Sequence, residues 1–154
     1  MKNHASIEID APPERVFTWI DDADRVAQWL PNVVENENLE VTPQRVGSTF
    51  RQVYVENGRR MEMQGVVTAY EPNRQLTVAI NYKDFDLDVD YRLDDLGGRT
   101  RLTQDSEVRF KGPFKFLALV MMPFVKRSSN QQLLDTLVKL KALVESDAAR
   151  TNVT

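Results

Sequence analysis

The chain has no cysteine among its 154 residues, which excludes disulfides, thiolate metal clusters and thiol nucleophiles. Histidine is nearly absent as well. His4 stands alone, so neither a two-histidine metal site nor an HExxH arrangement is available. Excess positive charge is lacking: 20 Lys+Arg stand against 23 Asp+Glu, for a net charge of -3. That balance argues against nucleic acid as a main partner. No apolar run is long enough to cross a bilayer, since the most hydrophobic stretch, Phe114 to Val125, carries Lys115 and Pro123. Residues 1–10 lack the apolar centre of a signal peptide. The expectation is a soluble, cytoplasmic protein with no stable membrane insertion. Glycine-rich phosphate loops, nucleotide fingerprints and serine–histidine pairs are missing too. No cofactor and no metal site are expected.

What the sequence does contain suits one globular domain: 42% hydrophobic residues for a core and 28% charged residues for a solvated surface. Residues 4–10 alternate, with Ala5, Ile7 and Ile9 on one face and His4, Ser6, Glu8 and Asp10 on the other, which is a strand pattern. Asp10 is placed to cap a helix that opens at Pro12-Pro13-Glu14 and carries Val16, Phe17 and Ile20 at helical spacing. A second short helix is expected over Asp24–Trp29, ended by Pro31.

From Val33 onward the period is two. Asn57-Gly58 is a hairpin signal because a type I′ turn needs positive φ at both central residues. A two-residue loop there pairs Tyr54 with Met61 and Gln52 with Met63. The turn at Glu71 to Arg74 is expected to join Ala69 to Leu76 and Val67 to Val78. Lys83-Asp84 joins Ile80 to Leu87 and Val78 to Val89. The loop Asp95 to Gly98 is expected to join Leu93 to Thr100 and Tyr91 to Leu102. Each register keeps the apolar set on one face, and a one-residue slip would expose it. Helical spacing returns after Gly112-Pro113 and lasts to about Ser146, with Leu133, Leu137, Leu140 and Val144 on one face. Pro123 is expected to kink or split this helix. Residues 1–146 form the expected domain, and 147–154 the expected frayed tail.

The segment Ser6 to Phe17, with Ala11-Pro12-Pro13-Glu14-Arg15-Val16-Phe17 at its end, resembles the opening strand and helix of the START-like (SRPBCC) superfamily. Trp29-Leu30-Pro31, Val67 to Pro72, Gln104 and the stretch Leu133 to Val144 extend the resemblance to about residue 146. It implies an α+β helix-grip fold. Two short helices follow the first strand, and a curved antiparallel sheet of about six or seven strands wraps a long C-terminal helix. It also implies a ligand cavity between sheet and helix. Such proteins include polyketide cyclases/dehydratases, lipid and hormone carriers, coenzyme Q-binding proteins and chaperone activators, so the fold does not choose the activity.

The inner face carries polar residues where an apolar wall is expected: Gln52, Tyr54, Tyr82, Tyr91, Thr100, Gln104 and Ser106. An unpaired buried polar group costs roughly 1–3 kcal/mol, so these groups meet one another, water or a ligand. Gly65 removes volume from a strand centre, as suits a cavity. The candidate ligand-binding set is Gln52, Tyr54, Met63, Gly65, Tyr82, Tyr91, Gln104 and Ser106 on the sheet, with Met121, Val125 and Ser128 on the helix. The simpler reading is that the polar groups satisfy each other or sit at the sheet ends. Asp84 to Asp90 spaces carboxylates like a calcium loop but has Val89 where glycine is required, so it reads as a strand with an acidic outer face. On that face Asp88 is expected opposite Asp105, and Asp86 opposite Glu107, with Arg101 and Arg109 relieving the repulsion. The expected partner is a small hydrophobic molecule, lipid-, polyketide- or quinone-like. A cyclase-like reaction by substrate positioning and a protein-interaction role of the chaperone-activator kind are the alternatives.

Overall fold

The alternating segments form seven strands, and the turns between them set their order in space. A computed structural model gives β1 (Lys2–Ile9), α1 (Pro13–Asp21), α2 (Ala23–Trp29), β2 (Val33–Glu40), β3 (Thr49–Glu56), β4 (Arg59–Glu71), β5 (Gln75–Asn81), β6 (Phe85–Asp95), β7 (Thr100–Phe110) and α3 (Phe114–Thr151). It describes the backbone of residues 1–151, and the side chains of these except residues 114, 116–129 and 148–151. All strand pairs are antiparallel, in one curved sheet ordered β1-β7-β6-β5-β4-β3-β2. Two short helices carry the chain from β1 at one edge to β2 at the other. The meander then returns until β7 pairs with β1, and α3 packs on the inner face.

The tightest turn behaves as its residues require. Asn57 and Gly58 have φ of 52° and 75°, and the strands they join pair Tyr54 with Met61 and Gln52 with Met63. Beyond the Lys83-Asp84 turn, Ile80 pairs with Leu87 and Val78 with Val89. Two expected registers are corrected. Val67 does pair with Val78, but the ladder shifts after it, so Ala69 faces Thr77 and Tyr70 faces Leu76. A bulge exchanges the two faces of a strand. Here it turns Tyr70 inward, where its ring meets Phe17 edge-on at 5.6 Å. In the β6–β7 pair Asp95 faces Thr100, Leu93 faces Leu102 and Tyr91 faces Gln104. The turn is tighter than expected, with the Leu96 amide donating to the Arg99 carbonyl at 2.8 Å. Because this slip is two residues, every side chain keeps its face.

The slip changes who opposes whom on the outer face. Asp90, not Asp88, faces Asp105; Asp88 faces Glu107, and Asp86 faces Arg109. Arg92 relieves the Asp90–Asp105 pair by reaching both, at 3.1 and 2.5 Å. Arg109 meets Asp88 at 2.7 Å, while Arg101 turns to Glu8 instead. Across the sheet, Arg51 gathers Glu35, Glu37 and Glu62 at 2.9, 3.0 and 2.6 Å. Among the described residues no group of three or more acidic or histidine side chains is arranged to hold a metal ion.

Helix α1 begins at Pro13, with Pro12 at the N-cap position and no side-chain cap, contrary to the role expected of Asp10. Pro13 at the first helical position supplies the helical φ and removes one of the amides that a helix start leaves unpaired. The cap appears one helix later, where the Asp22 carboxylate accepts from the Asp24 amide at 2.9 Å. The Asp10 amide instead donates to Glu145 at 2.8 Å, tying α1's entry to α3. Helix α3 is continuous past Pro123 and reaches Thr151, so Asp147 to Thr151 are helical where a tail was expected. Residues 152–154 lie outside the described residues.

Leu137, Leu140 and Val144 of α3 are fully buried against Ile9, Val16 and Leu102, with Ala5, Phe17 and Leu93 around them. Each such large aliphatic side chain stabilises the fold by roughly 1.5–3 kcal/mol. This solid core occupies the inner face beneath the C-terminal half of α3. Among the described residues, no helix is long and apolar enough to cross a membrane.

Candidate ligand-binding site

Beside the solid core the same inner face is hollow. A cavity of about 610 Å³ lies between the sheet, α2 and α3, within the range of small-molecule sites. Its apolar walls come from inward positions of the central strands, including Met61, Met63, Val67, Ile80, Leu87 and Val89. Leu133 and Thr136 close it from α3, while Trp29, Leu30 and Pro31 close it from the end of α2. Trp29 is held rigidly: it is 1% exposed, its indole N–H donates to the Trp19 carbonyl at 3.0 Å, and its ring meets Tyr91 edge-on at 6.1 Å.

Six of the expected site residues line this space: Gln52, Tyr54, Met63, Tyr91, Gln104 and Ser106. Gly65 and Tyr82 do not. Gly65 sits directly across from Phe50, and a Cβ built on it would lie 2.2 Å from Phe50 Cζ. The space left by the missing side chain is therefore filled by the Phe50 ring, which lies over the glycine and forms part of the cavity wall. Gly65 shapes the cavity through Phe50 rather than by opening onto it. Tyr82 meets Phe85 at 5.3 Å with the rings tilted by 47°, and Lys83 Nζ lies 5.9 Å from the Tyr82 ring. Met121, Val125 and Ser128, together with the Lys126-Arg127 pair, lie outside the described side chains.

The polar groups on the wall divide into two sets. Towards β2 and β3 they are partnered, apart from the buried Arg45 Nε, which has no partner among the described residues. Asn36 donates to the Ala23 carbonyl at 3.0 Å and accepts from Gln52 at 3.5 Å, while Tyr54 Oη accepts from Asn32 at 3.2 Å. At the same end Arg45 meets Asp21 at 2.6 Å, and the Tyr70 hydroxyl donates to Asp21 at 2.9 Å. Burial, followed by that bond to Asp21, pushes the Tyr70 hydroxyl pKa up. Towards β1 and β7, Asn3 Oδ1 and Gln104 Oε1 are buried without a hydrogen-bond partner among the described residues. Burial pushes the Tyr91 hydroxyl far above the usual tyrosine range, so it stays protonated.

Thr100, also among the expected inward polar residues, lies off the cavity. It is fully buried in the solid core, and its hydroxyl donates to the Ala11 carbonyl at 2.8 Å. Asn3 was missed at the sequence level, although Ala5, Ile7 and Ile9 give its parity. Extending the strand two residues towards the N-terminus places it inward, and the structure begins β1 at Lys2.

Residues 2–145 match the family described as polyketide cyclase / dehydrase and lipid transport. No curated protein matches the chain. Among solved structures, TTHA0849 from Thermus thermophilus is similar, with a TM-score of 0.78 at 18% identity, covering 96% of this chain and 99% of that one. A START superfamily protein from Mycobacterium smegmatis gives 0.78 at 21% identity, covering 94% and 97%. The di-domain ARO/CYC BexL from the BE-7585A biosynthetic pathway gives 0.73 at 13% identity, covering 94% of this chain and 46% of that one. At such identities the likenesses show the fold, and the match over residues 2–145 shows the family. With its seven strands wrapped around α3, the chain belongs to the polyketide cyclase / dehydrase and lipid transport family of the START-like superfamily.

Proposed function

We propose that the protein binds a small hydrophobic molecule, lipid-, polyketide- or quinone-like, inside the cavity between sheet and α3. The observation that carries this reading is the cavity itself: about 610 Å³ of space on a sheet face that the neighbouring core shows can be packed solid. Native interiors pack near crystalline density, so a void this large beside a filled core is a built feature. Its family's description, which names lipid transport, supports the same reading. That description also names cyclase and dehydrase chemistry. The alternative reading is a reaction of that kind, carried by folding a reactive chain against the cavity wall.

The test is saturable binding of an apolar fluorescent probe, read in the wild type and in Gly65→Leu. The larger side chain lifts the Phe50 ring into the cavity, at an overpacking cost of roughly 1–3 kcal/mol. Wild-type binding at one site, weakened in a Gly65→Leu protein that remains folded by circular dichroism, supports the proposal. Absence of saturable binding across chemically varied probes overturns it and moves the protein-interaction role ahead.

A further inference from the structure

Two amide oxygens on the cavity wall that lack partners among the described residues belong to one patch. Asn3 pairs with Ser106 across β1 and β7, and Gln104 pairs with Tyr91 across β7 and β6, so the four residues occupy adjacent inward positions on three neighbouring strands. Directly opposed residues on one face hold their Cβ atoms about 4.5–5.5 Å apart, close enough for one ligand group to touch several of them. Asn3 and Gln104 are only 8% and 5% exposed, and all four residues line the cavity. Every member is uncharged. The two unpartnered atoms are both amide oxygens, which ask for a hydrogen-bond donor. Among the described residues lining the cavity the cations are Arg45, which meets Asp21 at 2.6 Å, and the Met1 ammonium, which donates to the Val108 carbonyl at 2.7 Å.

A carboxylate placed on the patch can accept from an amide N–H or a hydroxyl, but it has no proton for the two amide oxygens and loses its water, which is costly for a buried charge. A hydroxyl fits instead. It donates to one amide oxygen while accepting from an amide N–H or from a neighbouring hydroxyl, so both halves of the group are used. Resting on the binding function proposed above, we propose that the cavity's ligand is an apolar molecule whose uncharged hydroxyl docks on Asn3 and Gln104, with Ser106 and Tyr91 beside it.

The experiment displaces a bound apolar fluorescent probe with three molecules of matched chain: 1-decanol, its methyl ether and decanoate at pH 8. The alcohol is expected to displace the probe at several-fold lower concentration than the ether and at about tenfold lower than decanoate, as one hydrogen bond's worth of preference predicts. In Asn3→Leu and Gln104→Leu the alcohol-over-ether preference, measured against each variant's own probe affinity, falls to about one; Gln104→Met serves if the leucine variant does not fold. The inference is overturned if decanoate matches the alcohol, if the ether does, if none of the three displaces the probe, or if the preference survives both substitutions. Failure of the probe itself to bind the wild type is a separate result, because it overturns the binding function first.

Discussion

Thr100 and Gln104 stand four residues apart on one strand and point to the same face, yet their surroundings differ. Thr100 lies under the C-terminal half of α3, fully buried, with its hydroxyl donating to Ala11. Gln104 is almost as buried, but one of its polar atoms meets no partner and its side chain borders open space. In the solid core the Thr100 hydroxyl found its partner during folding. A binding wall leaves some of them unpaired until a ligand arrives, at a cost to the free protein. Burial alone therefore does not separate structural from ligand-facing polar residues here. For Thr100 and Gln104, hydrogen-bond satisfaction together with a place on the cavity wall does.

The largest expected effect tests the solid end. Leu140→Ala removes a fully buried side chain that grips the sheet, and its cost in denaturant unfolding is about 2–5 kcal/mol. Met61→Ala, on the hollow end, enlarges a void that already exists and is expected to cost roughly half of that or less. Equal costs break the comparison. Next, Thr100→Val strands the Ala11 carbonyl inside the core and destabilises by about 1–3 kcal/mol. Gln104→Leu has the opposite sign: replacing an unpartnered buried amide with an apolar group of similar size raises the ligand-free stability by up to about 1 kcal/mol. Thermal unfolding of these two variants side by side is the sharpest check, and a destabilised Gln104→Leu contradicts the division drawn above.

The smallest effect concerns the clasp that holds α3 over both ends. Glu145 accepts from Lys141 at 2.6 Å and from the Asp10 amide at 2.8 Å. Partial burial pushes its carboxyl up, but those two bonds outweigh burial and hold it below the usual value of 4.5. A depressed carboxyl contributes stability that is complete above its unfolded value and lost as pH falls through its folded one. Wild-type stability is thus expected to drop below about pH 4.5, by a few tenths of a kcal/mol more than in Glu145→Gln. Urea titrations of both proteins between pH 6 and pH 3 measure the difference.

Much of the sheet was legible because parity is robust. Asn57-Gly58 dictated its own turn, and the inward positions of β3 to β7 read correctly even where the β6–β7 loop was placed two residues too wide. The bulge after Val67 was not legible, since Tyr70 reads equally well as an outward residue until Phe17 and Asp21 arrive from α1. Gly65 was recognised as special for a reason that the structure revises: local sequence shows a missing side chain, while only the register reveals that Phe50 lies on it.

The sequence by itself determined which residues point inward, because strand and helix periodicity are local properties of the chain and solvent exposure penalises any other choice. It also determined the family, through the segment from Ser6 to Phe17 and the spacing of Leu133, Leu137, Leu140 and Val144. Only the tertiary structure decided which inward polar groups found partners. That outcome depends on how α3 lies across the face: Leu137 to Val144 fill it, while beside Gln104 and Asn3 a cavity is left.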